Sequence, residues 1–521
     1  MLNRRFKTIA GAALAAILLA GCGSDAESTG EGSGAGPEGE PQAGGSLRIA
    51  QMTEPRTLDP AVMTNAASGN GIVGNSLFGQ LLTDNEDGSF EYGLAESLTT
   101  DDGGLNWELT IRDGIQYSDG TPMEADDVQF NWERIKNPAL GSATLGTANL
   151  VASYQPDGRT LNFTLTQPIA AFAQAITEQS MNWIAKPEAL QAGPAAFDAA
   201  PIGAGPFVLE SWQRSAEMVL KKNPSYYDSP LPYLDELRLT ANGDENQRFQ
   251  TVMSGGADAT MSSSPAHLAR GVAGGLVASV QQQNGGIPMV MNTRVAPFND
   301  IRAREAIAAA IDLEAVNAAT YDSEAEVPKT LFLEDSPVFA DVPLPSFDKE
   351  RAQELFDELA QEGKPVEFLI TAYQTSESKR SAESFQAQLS TYDNVAVELE
   401  VLDFPAATAK FTQRNFQMMP AGFSFSGPDP FLFRNLHSTS GGNPSGISDP
   451  QLDEALLRAR VATTDEERKS AYADVAERYS EVIPNILYIR GSFAFAFDDK
   501  VGGGKLYGIG SLPTHELWMS K

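Results

Sequence analysis

A chain of 521 residues is longer than one hydrophobic core supports, so two or three domains are expected. Its 69 acidic residues against 37 basic ones give a net charge of −32 with no basic stripe, which argues against nucleic acid as a partner and fits solubility outside the cytoplasm. The one cysteine, Cys22, excludes an internal disulfide; His267, His437 and His515 are scattered without metal-ligand spacing, so neither a metal nor a cofactor is expected.

Arg4, Arg5 and Lys7 precede an apolar run from Thr8 to Ala20. The run is shorter than the ~20 residues that a membrane span takes. It has the length of a signal-peptide core, so residues 1–21 read as a leader. The lone cysteine follows Leu19-Ala20-Gly21, which resembles the lipobox of bacterial lipoproteins. That resemblance implies cleavage before Cys22 and a diacylglyceryl group on its sulfur; an ordinary leader with an incidental cysteine is the alternative. Arg4-Arg5-Phe6-Lys7 partly resembles a twin-arginine signal, which leaves the export route open between that and general secretion. From 23 to 45 the chain carries Gly, Ser, Pro and acid with no large apolar side chain, so it cannot bury a core and reads as a disordered tether. As flexible coil it spans roughly 25 Å between a lipid and a folded body.

The folded body begins with alternating Ser46-Leu47-Arg48-Ile49-Ala50, a strand. Trp107, Leu109 and Ile111 alternate over Asn106–Arg112, and Leu161, Phe163 and Leu165 do so after the turn Pro156-Asp157-Gly158. Residues 80–200 read as a small mixed module, with strands again at Glu217–Leu220 and Leu234–Leu239. Beyond about 286 helices and strands alternate. Residues 300–318 are helical; Ala352, Leu355, Phe356 and Leu359 form a helical stripe that Asp348 caps and Gly363 ends. Strands at Val366–Ile370 and Val395–Val401 flank a helix near 377–391, and helices at 450–461 and 465–481 precede the apolar strand Ile483–Ile489. This alternation predicts an α/β fold with a largely parallel sheet.

Several segments, in order, resemble the family 5 extracellular solute-binding proteins, the oligopeptide, dipeptide and nickel binders of ABC importers. They are Glu54-Pro55-Arg56-Thr57-Leu58-Asp59-Pro60, Leu94-Ala95-Glu96-Ser97, and the block from Leu109 through Ser118-Asp119-Gly120-Thr121-Pro122 to Ala125-Asp126-Asp127-Val128. Gly203-Ala204-Gly205-Pro206-Phe207, Asn223-Pro224-Ser225-Tyr226-Tyr227, Pro297-Phe298-Asn299-Asp300 and Arg304-Glu305-Ala306-Ile307 follow. The resemblance implies a two-lobed, periplasmic-binding-protein-like α/β fold of type II with an extra subdomain in lobe one. Lobe one would take 46–285, including the subdomain at 80–200, and the return segment 483–521; lobe two would take 286–482. Crossings between the lobes would lie near 284–292 and 480–488, with Gly285-Gly286 and Pro484 as punctuation.

In peptide-binding members a segment similar to Gly422-Phe423-Ser424-Phe425-Ser426-Gly427-Pro428-Asp429-Pro430 lines the cleft. The resemblance puts Phe423 where Trp is usual and Ser426 where an Asp meets the peptide's ammonium group; Asp429 matches the second Asp. Glu54, Thr57, Asn182 and Trp183 are the further ligand-binding candidates it implies. The residues also carry structural readings. Asp429 before Pro430 makes a natural helix N-cap, Phe423 and Phe425 share one strand face and hence one fate, and Met418 and Met419 suit a core. With Ser426 at the amine position, no strong preference for free-amine peptides over capped ones is expected.

The function implied is capture of a peptide or peptide-like solute by a monomeric lipoprotein at the outer face of the membrane or in the periplasm. It would be anchored only through Cys22 and would hand its solute to ABC permease and ATPase subunits. A non-peptide solute such as a sugar, opine or metal complex, or a peptide-sensing receptor role, is the alternative on the same fold. An extracellular hydrolase is more remote: no Gly-x-Ser-x-Gly occurs and no triad is visible.

Overall fold

In the computed structural model, residues 40–67, 70–85 and 88–521 are described. The leader and Cys22 lie outside the described residues.

The strand Ser46–Gln51 forms where Leu47 and Ile49 alternate with polar neighbours, and both side chains are buried. It pairs in parallel with Glu236–Ala241 on one side and Ala259–Ser262 on the other. Glu217–Lys222 and Phe207–Gln213 extend one edge antiparallel, and Ser492–Phe497 and Val277–Gln282 extend the other. This seven-stranded sheet therefore draws on both halves of the chain. Beside it lies an antiparallel sheet of four strands, Ala95–Thr99, Asn106–Ile111, Thr160–Leu165 and Val151–Asp157. The helix Ala125–Ile135 covers the apolar face of that sheet. Trp132 there meets Phe163 edge-on with centroids 5.3 Å apart and donates its indole N–H to the Met181 carbonyl at 2.8 Å.

A second sheet is built around Asn284–Met291 and Val366–Tyr373. Val366–Tyr373 pairs in parallel with Val395–Leu402, and the connection between them is the helix Ser376–Leu389, the crossover that a parallel pair needs. Asn284–Met291 instead pairs antiparallel with Met418–Pro420, Phe423–Phe425 and Asn485–Ile489. Both sheets are thus mixed, not largely parallel as expected. In the second sheet the helix Ser376–Leu389 carries the chain back for a parallel pair, and the strands that come from or return to the other lobe run antiparallel to their neighbours. The helix Lys349–Gln361 stands as its stripe predicts, with Asp348 accepting from the Arg351 N–H at 3.0 Å and Gly363 left-handed (φ 75°) just past its end.

The two lobes are joined where Gln283 links Val277–Gln282 to Asn284–Met291, and where Arg490-Gly491 links Asn485–Ile489 to Ser492–Phe497. The Gln283 N–H donates to the Gly491 carbonyl at 2.9 Å, so the crossings lie side by side. Asn485–Ile489 pairs with Asn284–Met291 in the second sheet, and Ser492–Phe497 is the strand that rejoins the first. Gly285, at φ 70°, allows the close packing here: a Cβ on it would sit 2.0 Å from the Phe423 carbonyl oxygen.

Candidate functional site

Lobe one presents Asp84, at the end of the strand Leu82–Asp84, and the helix Phe172–Thr177 with Glu178 just beyond it. Lobe two presents Ser426-Gly427, which leave the strand Phe423–Phe425. They meet in one polar cluster. The Ser426 hydroxyl donates to Asp84 Oδ2 at 2.7 Å, and Gln174 Nε2 donates to the same oxygen at 2.7 Å and to Ser426 Oγ at 3.2 Å. Asp84 Oδ1 accepts from the Gly508 N–H at 2.8 Å, while the Gly427 N–H donates to Glu178 Oε1 at 2.8 Å. Gly427 must lack a side chain, because a Cβ would come 2.1 Å from Gln174 Cγ. Burial pushes the Glu178 carboxyl up to about 7; the Gly427 N–H pulls it back, and the negative charge of Asp84 adds to the rise.

The other candidate residues lie elsewhere and are used by the fold. Phe423 and Phe425 do share a face, and it is a core face: Phe425 stacks on Phe431 at 5.0 Å and Phe423 on Tyr479 at 5.9 Å. Asp429 neither caps a helix nor points to the junction. The helix Phe431–Leu436 begins after Pro430 with no side-chain cap, and Asp429 forms a buried ion pair with Arg460 at 2.8 Å. That guanidinium also lies 3.7 Å from the Phe433 ring centre. Trp183 is buried against Gly74 and donates its indole N–H to Asn75 Oδ1 at 2.9 Å. The Asn182 amide holds both the N–H and the C=O of Leu82, at 3.1 and 2.8 Å, and so positions the strand that ends in Asp84. Glu54 accepts from the Ser215 N–H at 2.8 Å, and Thr57 donates to Asp198 at 2.8 Å, which ties down the opening segment. Met418 and Met419 are fully buried, as their core reading expects.

Of the eight ligand-binding candidates, then, Ser426 alone stands in the cluster between the lobes. Asp84, Gln174 and Glu178 were missed by sequence reasoning. They carry no motif, and Asp84 is separated from Ser426 by 342 positions. The one available signal was indirect: Ser426 in place of an acid invites an acid from elsewhere, but the chain has 69. Chemically the cluster offers two carboxylates and amide and hydroxyl groups that bind hydrogen-bond donors, and its contacts must break when the lobes part.

The model of the bacterial extracellular solute-binding proteins, family 5 Middle, matches residues 89–445. The chain is 24% identical over 475 residues to the probable D,D-dipeptide-binding periplasmic protein DdpA of Escherichia coli, covering 85% of this chain and 87% of that one. It is 23% identical over 475 residues to the periplasmic oligopeptide-binding protein OppA of Salmonella typhimurium, covering 84% and 86%. Among solved structures, the oligopeptide-binding protein AppA of Bacillus subtilis, in complex with a nonapeptide, superposes with a TM-score of 0.76 at 21% identity, over 92% of this chain and all of that one. NikA of Brucella suis, in complex with Fe(III)-EDTA, gives 0.79 at 20% identity over 91% of this chain and all of that one. This two-lobed chain is accordingly a binding protein and not an enzyme, and it belongs to the bacterial extracellular solute-binding proteins of family 5.

Proposed function

We propose that this protein captures a peptide or peptide-like solute between its lobes outside the cytoplasm and delivers it to the permease of an ABC importer. The observation that carries the reading is the polar cluster of Asp84, Glu178, Gln174 and Ser426, which bridges the lobes through hydrogen bonds. Opening exposes acceptors suited to the N–H groups of a peptide, and closing buries them around it by hinge motion at Gln283 and Arg490-Gly491. Lobe one then comprises residues 46–283 and 491–521, lobe two 284–490, and the protein works as a monomer tethered by a lipid on Cys22. Relatives named for dipeptides and oligopeptides support the peptide class. One observation favours a second reading, a capped or non-peptide solute: Ser426 stands where peptide binders are expected to place an amine-binding carboxylate.

Native mass spectrometry of the protein as purified tests both readings. A retained mass that fragments into amino-acid residues supports the peptide class, and a retained solute without peptide bonds overturns it.

A further inference from the structure

We infer that Gln283 sets the balance between the open and the closed form: an acceptor left unmet at the crossing makes closure costly, so the empty protein rests open until a solute offsets the cost. The inference rests on the hinge motion proposed above and not on what the solute is.

Gln283 lies at the first crossing and is 1% exposed. Its backbone N–H ties this crossing to the second, at the Gly491 carbonyl. Its side chain reaches into lobe one. Nε2 donates to the Gly508 carbonyl at 3.1 Å and to the Gln282 carbonyl at 3.2 Å, so both amide hydrogens are used. Oε1 is sealed from solvent and accepts from no group among the described residues. The next amide in the chain is met at both ends: Asn284 Nδ2 donates to the Ser426 carbonyl at 2.8 Å, and its Oδ1 accepts from the Leu333 N–H at 2.9 Å. An amide oxygen taken out of water without a donor costs free energy that no neighbouring contact returns.

The amide cannot flip to escape this, because Oε1 would then face the two carbonyl oxygens that Nε2 now serves. Nor does Gly508 give way. It belongs to a tight loop in which Tyr507 and Ser511 exchange backbone bonds at 2.9 and 2.8 Å. Two buried asparagines hold that loop: the Tyr507 hydroxyl donates to Asn75 Oδ1 at 2.8 Å, and the Ser511 hydroxyl donates to Asn65 Oδ1 at 2.7 Å. The same Gly508 gives its N–H to Asp84 Oδ1, and Asp84 Oδ2 takes the Ser426 hydroxyl of lobe two. Three hydrogen bonds thus run from the crossing through Gly508 and Asp84 to the lobe junction, with the unmet oxygen at their head. When Ser426 and Gly427 lift away, water enters the cluster and reaches Oε1 behind it. The bond from Gln283 to Gly508 lies within lobe one and survives in both forms, so it favours neither. The unmet acceptor burdens the closed form alone.

Small-angle scattering of the whole protein, free of solute at pH 7, tests this in wild type, Gln283→Leu, Gln283→Met and Gln283→Glu. All three variants lose the bond to Gly508, so a merely structural part for Gln283 would move them the same way. The apolar variants also remove the unmet acceptor, and Gln283→Glu keeps it. Gln283→Leu and Gln283→Met should shift the closed-to-open ratio about tenfold towards closed and shrink the radius, while Gln283→Glu should enlarge it. If one apolar variant does not fold, the other carries the comparison. A wild-type radius already that of the closed structure, or variants that all move alike or not at all, overturns the inference. Should it fail while the wild-type radius still changes with pH, the hinge reading stands without it.

Discussion

Ser426 of the second lobe gives its hydroxyl proton to Oδ2 of Asp84 in the first at 2.7 Å, so a serine expected to be a gap in the solute site is instead one half of a bond between lobes. The acids nearest in sequence terms to replacing the missing carboxylate are both committed, Asp429 to Arg460 and Glu54 to the Ser215 N–H. Asp84 already accepts from Ser426, Gln174 and Gly508. Free and N-acetylated forms of one peptide should therefore bind within about tenfold of each other, since Asp84 already accepts three hydrogen bonds and burial opposes a charge on Glu178, the other carboxylate of the cluster. Titration of the matched pair checks this. A hundredfold loss on acetylation that Asp84→Asn abolishes would make Asp84 the partner of the amine.

Closure should depend on pH through Glu178. Open, its carboxyl titrates near the ordinary value of about 4.3; closed, it is pushed up to about 7 by burial, with the Gly427 N–H and the Gln174 amide opposing and Asp84 adding. Below about pH 4 the group is neutral in both states and favours neither. As pH rises towards 7 the open form gains by ionising and the closed form does not, so closure weakens by at most roughly 4 kcal/mol and then levels off. Small-angle scattering of the unliganded protein from pH 4 to 8 should show a growing radius, and Glu178→Gln should flatten the curve. A radius that shrinks as pH rises contradicts the sign.

Removing one partner of the Asp429–Arg460 pair should cost stability and leave the solute site intact. Both side chains are almost fully buried, so Arg460→Ala strands a carboxylate at a cost of roughly 3–5 kcal/mol. Urea unfolding should show the free energy of unfolding fall by that amount, while affinity for any co-purified solute stays within twofold. Loss of affinity at unchanged stability would return Asp429 to the solute site.

Anchoring through Cys22 is a claim of sequence alone and has its own test. One acyl chain holds a protein to a membrane only marginally and two hold it firmly, so a diacylglyceryl group suffices. Labelled fatty acid should enter the wild-type protein and not Cys22→Ala. Equal incorporation would sink the lipobox reading.

Periodicity and end signals were enough to place several helices and strands, although the helix expected over 300–318 breaks into Ile301–Ala310 and Leu313–Tyr321, where Asp312 caps a new start. Lys349–Gln361 with its Asp348 cap, Val395–Leu402, Pro450–Val461 and Asp465–Val482 all stand within a residue or two of their expected ranges. The motifs from Glu54 to Ile307, taken in order, were enough to name the family. Both kinds of information sit within a few tens of residues and rest on local geometry: a stripe at helical spacing, alternation at strand spacing, a capping acid one residue before a helix. What a side chain does once placed was decided by partners far along the chain. Phe423 and Phe425 became core because Phe431 and Tyr479 close over them, Trp183 because Asn75 and Gly74 receive it, and Asp429 an ion pair because Arg460 has no other acid within reach. Asp84 reaches Ser426 only because the chain crosses twice between lobes, at Gln283 and at Arg490-Gly491, and brings one end of the first sheet against a loop of the second. A hydrogen bond spanning 342 positions leaves no local pattern, since neither residue type is constrained by its own neighbours to make it.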